Sequence, residues 1–250
     1  MLISRRNVIP LLVPAVTLRG WLRATPLRKP TAGSVEDTAA GLVAELASQF
    51  VPESLKRVLS RHRTELRVGA TLSLDDSGWF QTRRSVEGAL VAEFETLGQI
   101  LESKPRFGPA TEKMGGLAAL SLCLNLPEGN YARSDFELLL RYVRYKAGLF
   151  RIVIYDKVPD AASDRSGLDA MIAEIRERRR DLSRKCREAY PGAWSHLSFE
   201  QIDSRSMLHG VASLVFSHSV VDVVRIWTLA WKSAGGDISG MPERLNNLTD

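Results

Sequence analysis

His218 and Asp222 stand four residues apart in an apolar stretch, so on a helix their side chains share one face. That spacing lets an imidazole and a carboxylate hold one metal ion, zinc above all. Arg225, three residues further on, can pair with Asp222, which gives a second outcome: a buried ion pair beside a hydrogen-bonded core histidine. Both outcomes are open at this point. His209 lies nine residues before His218, roughly 900° of helical turn, so the two rings point to opposite sides. That decides against a compact two-histidine site within one helix. If a metal binds at His218 and Asp222, His62 and Asp203 are the side chains that would help complete its shell. His62 also suits a helix surface or core edge beside Arg61, Arg63 and Glu65, and His196 sits in a connection.

Other chemistry has less to stand on. The two cysteines, Cys123 and Cys186, form no Cys-x-x-Cys pair, which excludes a zinc-thiolate site of the usual spacing. They read either as one disulfide or as two small buried apolar side chains. No glycine-rich phosphate loop, Gly-x-Ser-x-Gly elbow or His-Glu-x-x-His pair occurs. No nucleophile is paired with a base, so a serine or cysteine hydrolase has no foothold.

The elements that must position these residues are helices. The predicted fold is all-α: a single multi-helix bundle with a long central C-terminal helix. Predicted helices cover Asp37 to Phe50, Glu53 to about Leu72, Arg83 to Ser103 and Ala110 to Leu126. Pro52 opens the second of these, and Pro105 and Pro127 close the third and fourth. A further helix starts at Ser134, with Glu137 completing a capping box. The β-branched run Ile152-Val153-Ile154-Tyr155 has no partner strand, so it reads as a buried extended or short helical segment. Gly167 to Tyr190 is a long charged helix whose Arg-Glu-Arg-Arg-Arg-Asp block mixes both signs and reads as a solvated face. The last helix, Asp203 to about Ala234, closes at Gly235-Gly236. It carries Met207, Val211, Leu214, His218, Asp222, Arg225 and Leu229 on one side. Phe216, Val220, Val223, Trp227 and Trp231 lie with His209 on the other. A helix apolar on both sides belongs at the centre of a bundle.

The chain divides into a basic leader over 1–33, a helical domain over 36–236 and a loose tail over 237–250. The formal net charge of +5 sits in the leader, which has six basic residues and no acidic one before Glu36. The remainder has 28 basic against 29 acidic side chains, so it has no field to draw in a phosphate backbone; no bulk nucleic-acid binding is expected. Ser4-Arg5-Arg6-Asn7-Val8-Ile9 and the apolar run to Leu18 resemble a twin-arginine export signal, which implies a periplasmic or extracellular location. A disordered basic arm on a cytoplasmic protein is the alternative. No transmembrane segment is expected in the body, because Val211 to Trp231 contains His218, Asp222 and Arg225.

Over residues 37 to 236 the order of segments resembles bacterial relatives of the zinc-dependent phospholipase C and single-strand-specific nuclease superfamily. The carriers are Phe50 to Leu55 running into Arg61 to Leu66, then Leu117 to Pro127, Phe150 to Tyr155, and Asp203 to Ser206 leading to Trp227 and Trp231. The resemblance implies an all-helical fold around zinc ions that activate water against phosphodiesters. The departures carry more weight. That family places His-x-x-x-Asp four residues before a proline; aligned on Pro127, this sequence has Ala119 for the histidine and Cys123 for the aspartate. The family's N-terminal tryptophan and nearby Gly-His are absent too.

The expectation is therefore an exported helical protein that lacks most metal ligands and serves as a non-catalytic binding or structural module. A metal-dependent phosphodiester or phospholipid hydrolase with a reduced site at His218 and Asp222 is the alternative. No cofactor is expected, zinc being the one metal those residues would take. The charged helix over 167–190 is the candidate surface for a protein partner.

Overall fold

A computed structural model describes residues 38–75, 83–103, 107–128, 133–146, 165–189 and 206–239. These hold α1 (Ala39–Ala47), α2 (Glu53–Arg61), α3 (Arg63–Asp75), α4 (Arg83–Glu102), α5 (Phe107–Leu124), α6 (Arg133–Lys146), α7 (Arg165–Ala189) and α8 (Met207–Ser233), and no strand among the described residues. The all-α bundle with a long C-terminal helix is the architecture. The leader, Asp203, His196 and the run Ile152 to Tyr155 lie outside the described residues.

The long apolar helix forms the axis of the bundle. α8 packs against α1, α4, α5, α6 and α7, and every residue from Ser219 to Trp231 is buried. It starts where Ser206 accepts a bond from the His209 amide at 3.2 Å. Gly235, at φ +78°, turns the chain, and the Gly236 and Gly235 amides return to the Trp231 and Lys232 carbonyls at 2.8 and 3.0 Å. This is the double bond pattern that satisfies the carbonyls of a helix end, and the left-handed residue it needs is a glycine. Beyond it the expected loose tail begins with residues that are held: Ser54 Oγ donates to the Asp237 carbonyl at 2.5 Å and Trp231 Nε1 donates to the same oxygen at 3.1 Å. By length and composition α8 is apolar enough to cross a membrane. Here it is the core helix, and its Asp222 and Arg225 are paired inside the protein.

The expected single helix from Glu53 to Leu72 is two. His62 has φ −117° and ψ 36°, outside helical values, and its amide is shared between the Val58 and Leu59 carbonyls at 3.2 and 3.3 Å. No proline or glycine marks the break. α3 lies flush on α5, and there Gly69 and Gly115 let two backbones meet: a Cβ on Gly69 would sit 2.7 Å from the Glu112 carbonyl carbon, and one on Gly115 would sit 2.6 Å from the Ala70 nitrogen. Smaller differences concern ends. α1 is shorter than Asp37 to Phe50, and its cap is Thr38, whose hydroxyl accepts from the Gly41 amide at 3.0 Å. α6 begins at Arg133, one residue before the expected start at Ser134.

Candidate functional site

Asp222 is 1% exposed, set in the run Val220 to Trp227 of α8, which apart from Arg225 is otherwise valine, isoleucine and tryptophan. Its charge is answered from α7 and from the residue that follows α5. Arg178 of α7 donates one Nη2 to both carboxylate oxygens, at 2.5 and 2.7 Å, and Asn125, just past α5, donates its side-chain amide to Oδ2 at 2.8 Å. The same Asn125 amide also reaches the Ser121 carbonyl at 3.0 Å, which ties it to the end of α5. Burial pushes the Asp222 carboxyl above the ordinary aspartate range, opposed by the Arg178 guanidinium and the Asn125 amide.

The sequence-based pairing of Asp222 with Arg225 is therefore replaced by another. Arg225 turns from Asp222 to α7, where Nη1 meets Glu174 Oε2 at 2.6 Å. That bond holds the Glu174 carboxyl below its usual value, against a smaller opposing effect of burial. Arg225 itself is 5% exposed. The exchange has a geometric cause: on one helix the two side chains reach each other only along its surface, whereas α7 lies directly across the interface and offers both signs.

Neighbouring charges extend the cluster. Arg179, 6% exposed, meets Glu128 Oε1 at 2.8 Å and donates to the Leu124 carbonyl at 3.3 Å, where α5 ends and its last carbonyls need donors. Arg176 bonds Glu87 of α4 at 2.7 Å. Ser183 completes the junction, donating to the Arg179 carbonyl and accepting from the Glu128 amide, each at 2.5 Å. The expectation of a solvated arginine face on this helix is thus overturned for Arg178 and Arg179, while Arg180 is exposed. A signal for this was available. Arg179 is four residues after Ile175 and three before Leu182, on the apolar stripe of α7. Asn125 and Glu128, in contrast, carry no periodic mark.

Asp222, the first of the candidate metal ligands, is already engaged. Both oxygens of Asp222 already accept hydrogen bonds, and a cation there would lie within about 4 Å of the Arg178 guanidinium. At an effective dielectric of about 20 that repulsion is about 4 kcal/mol per unit of cation charge. His218 is half-buried one turn away. His62 lies at the α2–α3 joint with Nδ1 3.3 Å from Glu65 Oε1, and a Cβ on Gly108 would be 3.8 Å from that nitrogen. Among the described residues no group of three His, Cys, Asp or Glu side chains is placed to hold a metal ion. His209 is committed to Tyr142, its Nδ1 2.9 Å from the phenol oxygen.

The positions that align with a metal motif are packing positions. Ala119 is fully buried inside α5. Cys123, one turn on, donates its thiol to the Ala119 carbonyl at 2.8 Å, and burial pushes its pKa well up. Cys186 is buried on α7 with its pKa raised to about 11 by burial, and the two thiols are free, not a disulfide. No protein-family model, no curated protein and no solved structure matches the chain.

Proposed function

We propose that this chain is an exported, non-catalytic helical module with a binding or structural role. The observation that supports the reading is the engagement of Asp222 by Arg178 and Asn125, which occupies both oxygens of the best-placed carboxylate. Ala119 and Cys123, held in α5 as packing side chains, support the same conclusion for the lineage that the segment order resembles. The Ser4-Arg5-Arg6 leader supports delivery outside the cytoplasm. The outward side of α7, with Glu177, Arg180, Arg184 and Glu188, is the surface such a module offers to a protein partner. Elemental analysis of the full chain, purified after equilibration with zinc and desalting, tests the reading. Sub-stoichiometric zinc, unchanged in His218→Ala, is expected. More than one zinc per chain, lost in that variant, would mean a hydrolytic site is present.

A further inference from the structure

Two ion pairs join α7 to α8, and they are built differently. Arg178–Asp222 is closed: the carboxylate is buried and accepts from Arg178 and from Asn125. Arg225–Glu174 is open: the guanidinium is 5% exposed, whereas the Glu174 side chain is 53% exposed and meets it through one oxygen, Oε2, at 2.6 Å. Glu174 and Arg178 stand four apart on α7, and Asp222 and Arg225 three apart on α8, so each carboxylate senses both guanidiniums. Arg178, Arg225 and Asp222 sum to one positive charge, and Glu174, at the surface, is the group that cancels it. Unused donors lie beside that charge. Arg178 Nε and Arg225 Nε are both buried, and among the described residues neither has a hydrogen-bond acceptor. A guanidinium presents its N–H groups in a planar fork matched to the two oxygens of a carboxylate, and donors left dry and unbonded are costly. Glu174 answers one nitrogen of Arg225 with one oxygen, on a long side chain that swings into water by rotation about its own bonds.

We propose that Arg225 is the floor of a carboxylate-binding site on the α7–α8 seam, with Glu174 as the resident stand-in that an incoming organic carboxylate displaces. The charge fits. A monoanion replaces a monoanion and the four-group cluster stays neutral, whereas a dianion such as a phosphate monoester would leave a net negative charge beside the buried Asp222. The opening fits as well, because Glu174 is the exposed member of the open pair, and Arg178, partly exposed and one turn along α7, borders it. A free small acid and an acidic side chain of a protein partner present the same group. The inference rests on the binding role proposed above and names its ligand class; zinc content tests that role, and the titration below does not depend on it.

The test follows the Arg225 Nε–H signal by proton–nitrogen NMR as sodium acetate is added to the full chain, with sodium chloride at equal ionic strength as the reference. A saturable shift with acetate and none with chloride is expected. Glu174→Gln removes the competing charge and should lower the acetate midpoint by about tenfold or more, since the site is then open for most of the time. Glu188→Gln, which breaks an exposed pair to Arg184, should leave the midpoint unchanged. If Glu174→Gln does not fold, Glu174→Asp, which shortens the reach to Arg225, takes its place with the same expectation. A tetraglutamate peptide separates the two sources of the carboxylate. A midpoint below that of acetate by about tenfold or more assigns the site to an acidic segment of a protein, and anything higher to a free small acid. No acetate shift in the parent, an equal shift with chloride, or a midpoint that removal or shortening of the Glu174 carboxylate leaves unchanged overturns the proposal.

Discussion

The contact between α3 and α5 permits a prediction in which two identical substitutions have opposite signs. Replacing Gly115 by alanine puts a methyl 2.6 Å from the Ala70 nitrogen and 3.1 Å from the Gly69 carbonyl carbon, and overlaps the Leu66 carbonyl oxygen. These are backbone atoms of a helix and have no rotamer to yield, so α3 and α5 must part by roughly 1 Å. Separation on that scale forfeits a quarter to a half of each dispersion contact across the seam, where Leu66, Ala70, Leu117 and Ala118 are buried. Overpacking of this kind costs about 1–3 kcal/mol, and a clash with backbone belongs at the upper end. Alanine returns about 1 kcal/mol of helix propensity, which leaves a net loss of about 2 kcal/mol and a melting point lower by about 4–8 °C. Gly98 of α4 is the control, since a Cβ there meets nothing within 4 Å. Gly98→Ala should gain most of the same propensity and unfold about 2 °C higher. Thermal unfolding followed by far-ultraviolet circular dichroism measures both. Equal shifts in the two variants, or a stabilised Gly115→Ala, would refute the claim that the backbones touch.

Two other outcomes follow from the buried groups. Burial raises the folded-state pKa of Asp222 above its unfolded value, so its share of stability declines as pH rises through the folded pKa. Glu174 has the opposite sign: its bond to Arg225 lowers its pKa, and the stability it adds is complete above the unfolded value of 4.5 and lost as pH falls through the folded one. Denaturant midpoints across the acid-to-neutral range should therefore respond to Asp222→Asn and Glu174→Gln with slopes of opposite sense; parallel profiles would contradict the assignment. For the thiols, Cys123 and Cys186 should both resist a disulfide reagent near pH 8 in the native protein and both react once guanidinium unfolds it, because burial raises each pKa. Rapid native labelling of either would show that it is not packed as described.

Helix positions were legible wherever local chemistry enforces them. Pro52 and Gly235 begin and end helices for reasons contained in a few residues, and the two-sided apolarity of residues 207–233 placed α8 at the centre, although α8 starts behind Ser206 and not at the expected Asp203. The break at His62 was not legible, since neither a proline nor a glycine stands there, and nor was the seating of Gly69 against Gly115, residues that meet only after folding. The same holds for the charge cluster. Asp222 advertises itself as a carboxylate in hydrocarbon, but a helix periodicity that finds it cannot tell a metal from an arginine on another helix. Arg179, a charged residue at an apolar register, was the one sign in the sequence that α7 turns an arginine inward, and its own partner is Glu128.

The central place of α8 also bears on how the chain is made. Translation delivers α8 after the other seven described helices, yet α1, α4, α5, α6 and α7 all rest on it. Emerging from the ribosome, α1, α3, α4 and α5 can close on one another, but the sides of α1, α4, α5, α6 and α7 that cover α8 stay in water, or against a chaperone, until α8 clears the exit tunnel. Synthesis and the final collapse are thus uncoupled in time, and any pause before residue 207 prolongs the interval in which the nascent polypeptide is most prone to aggregate.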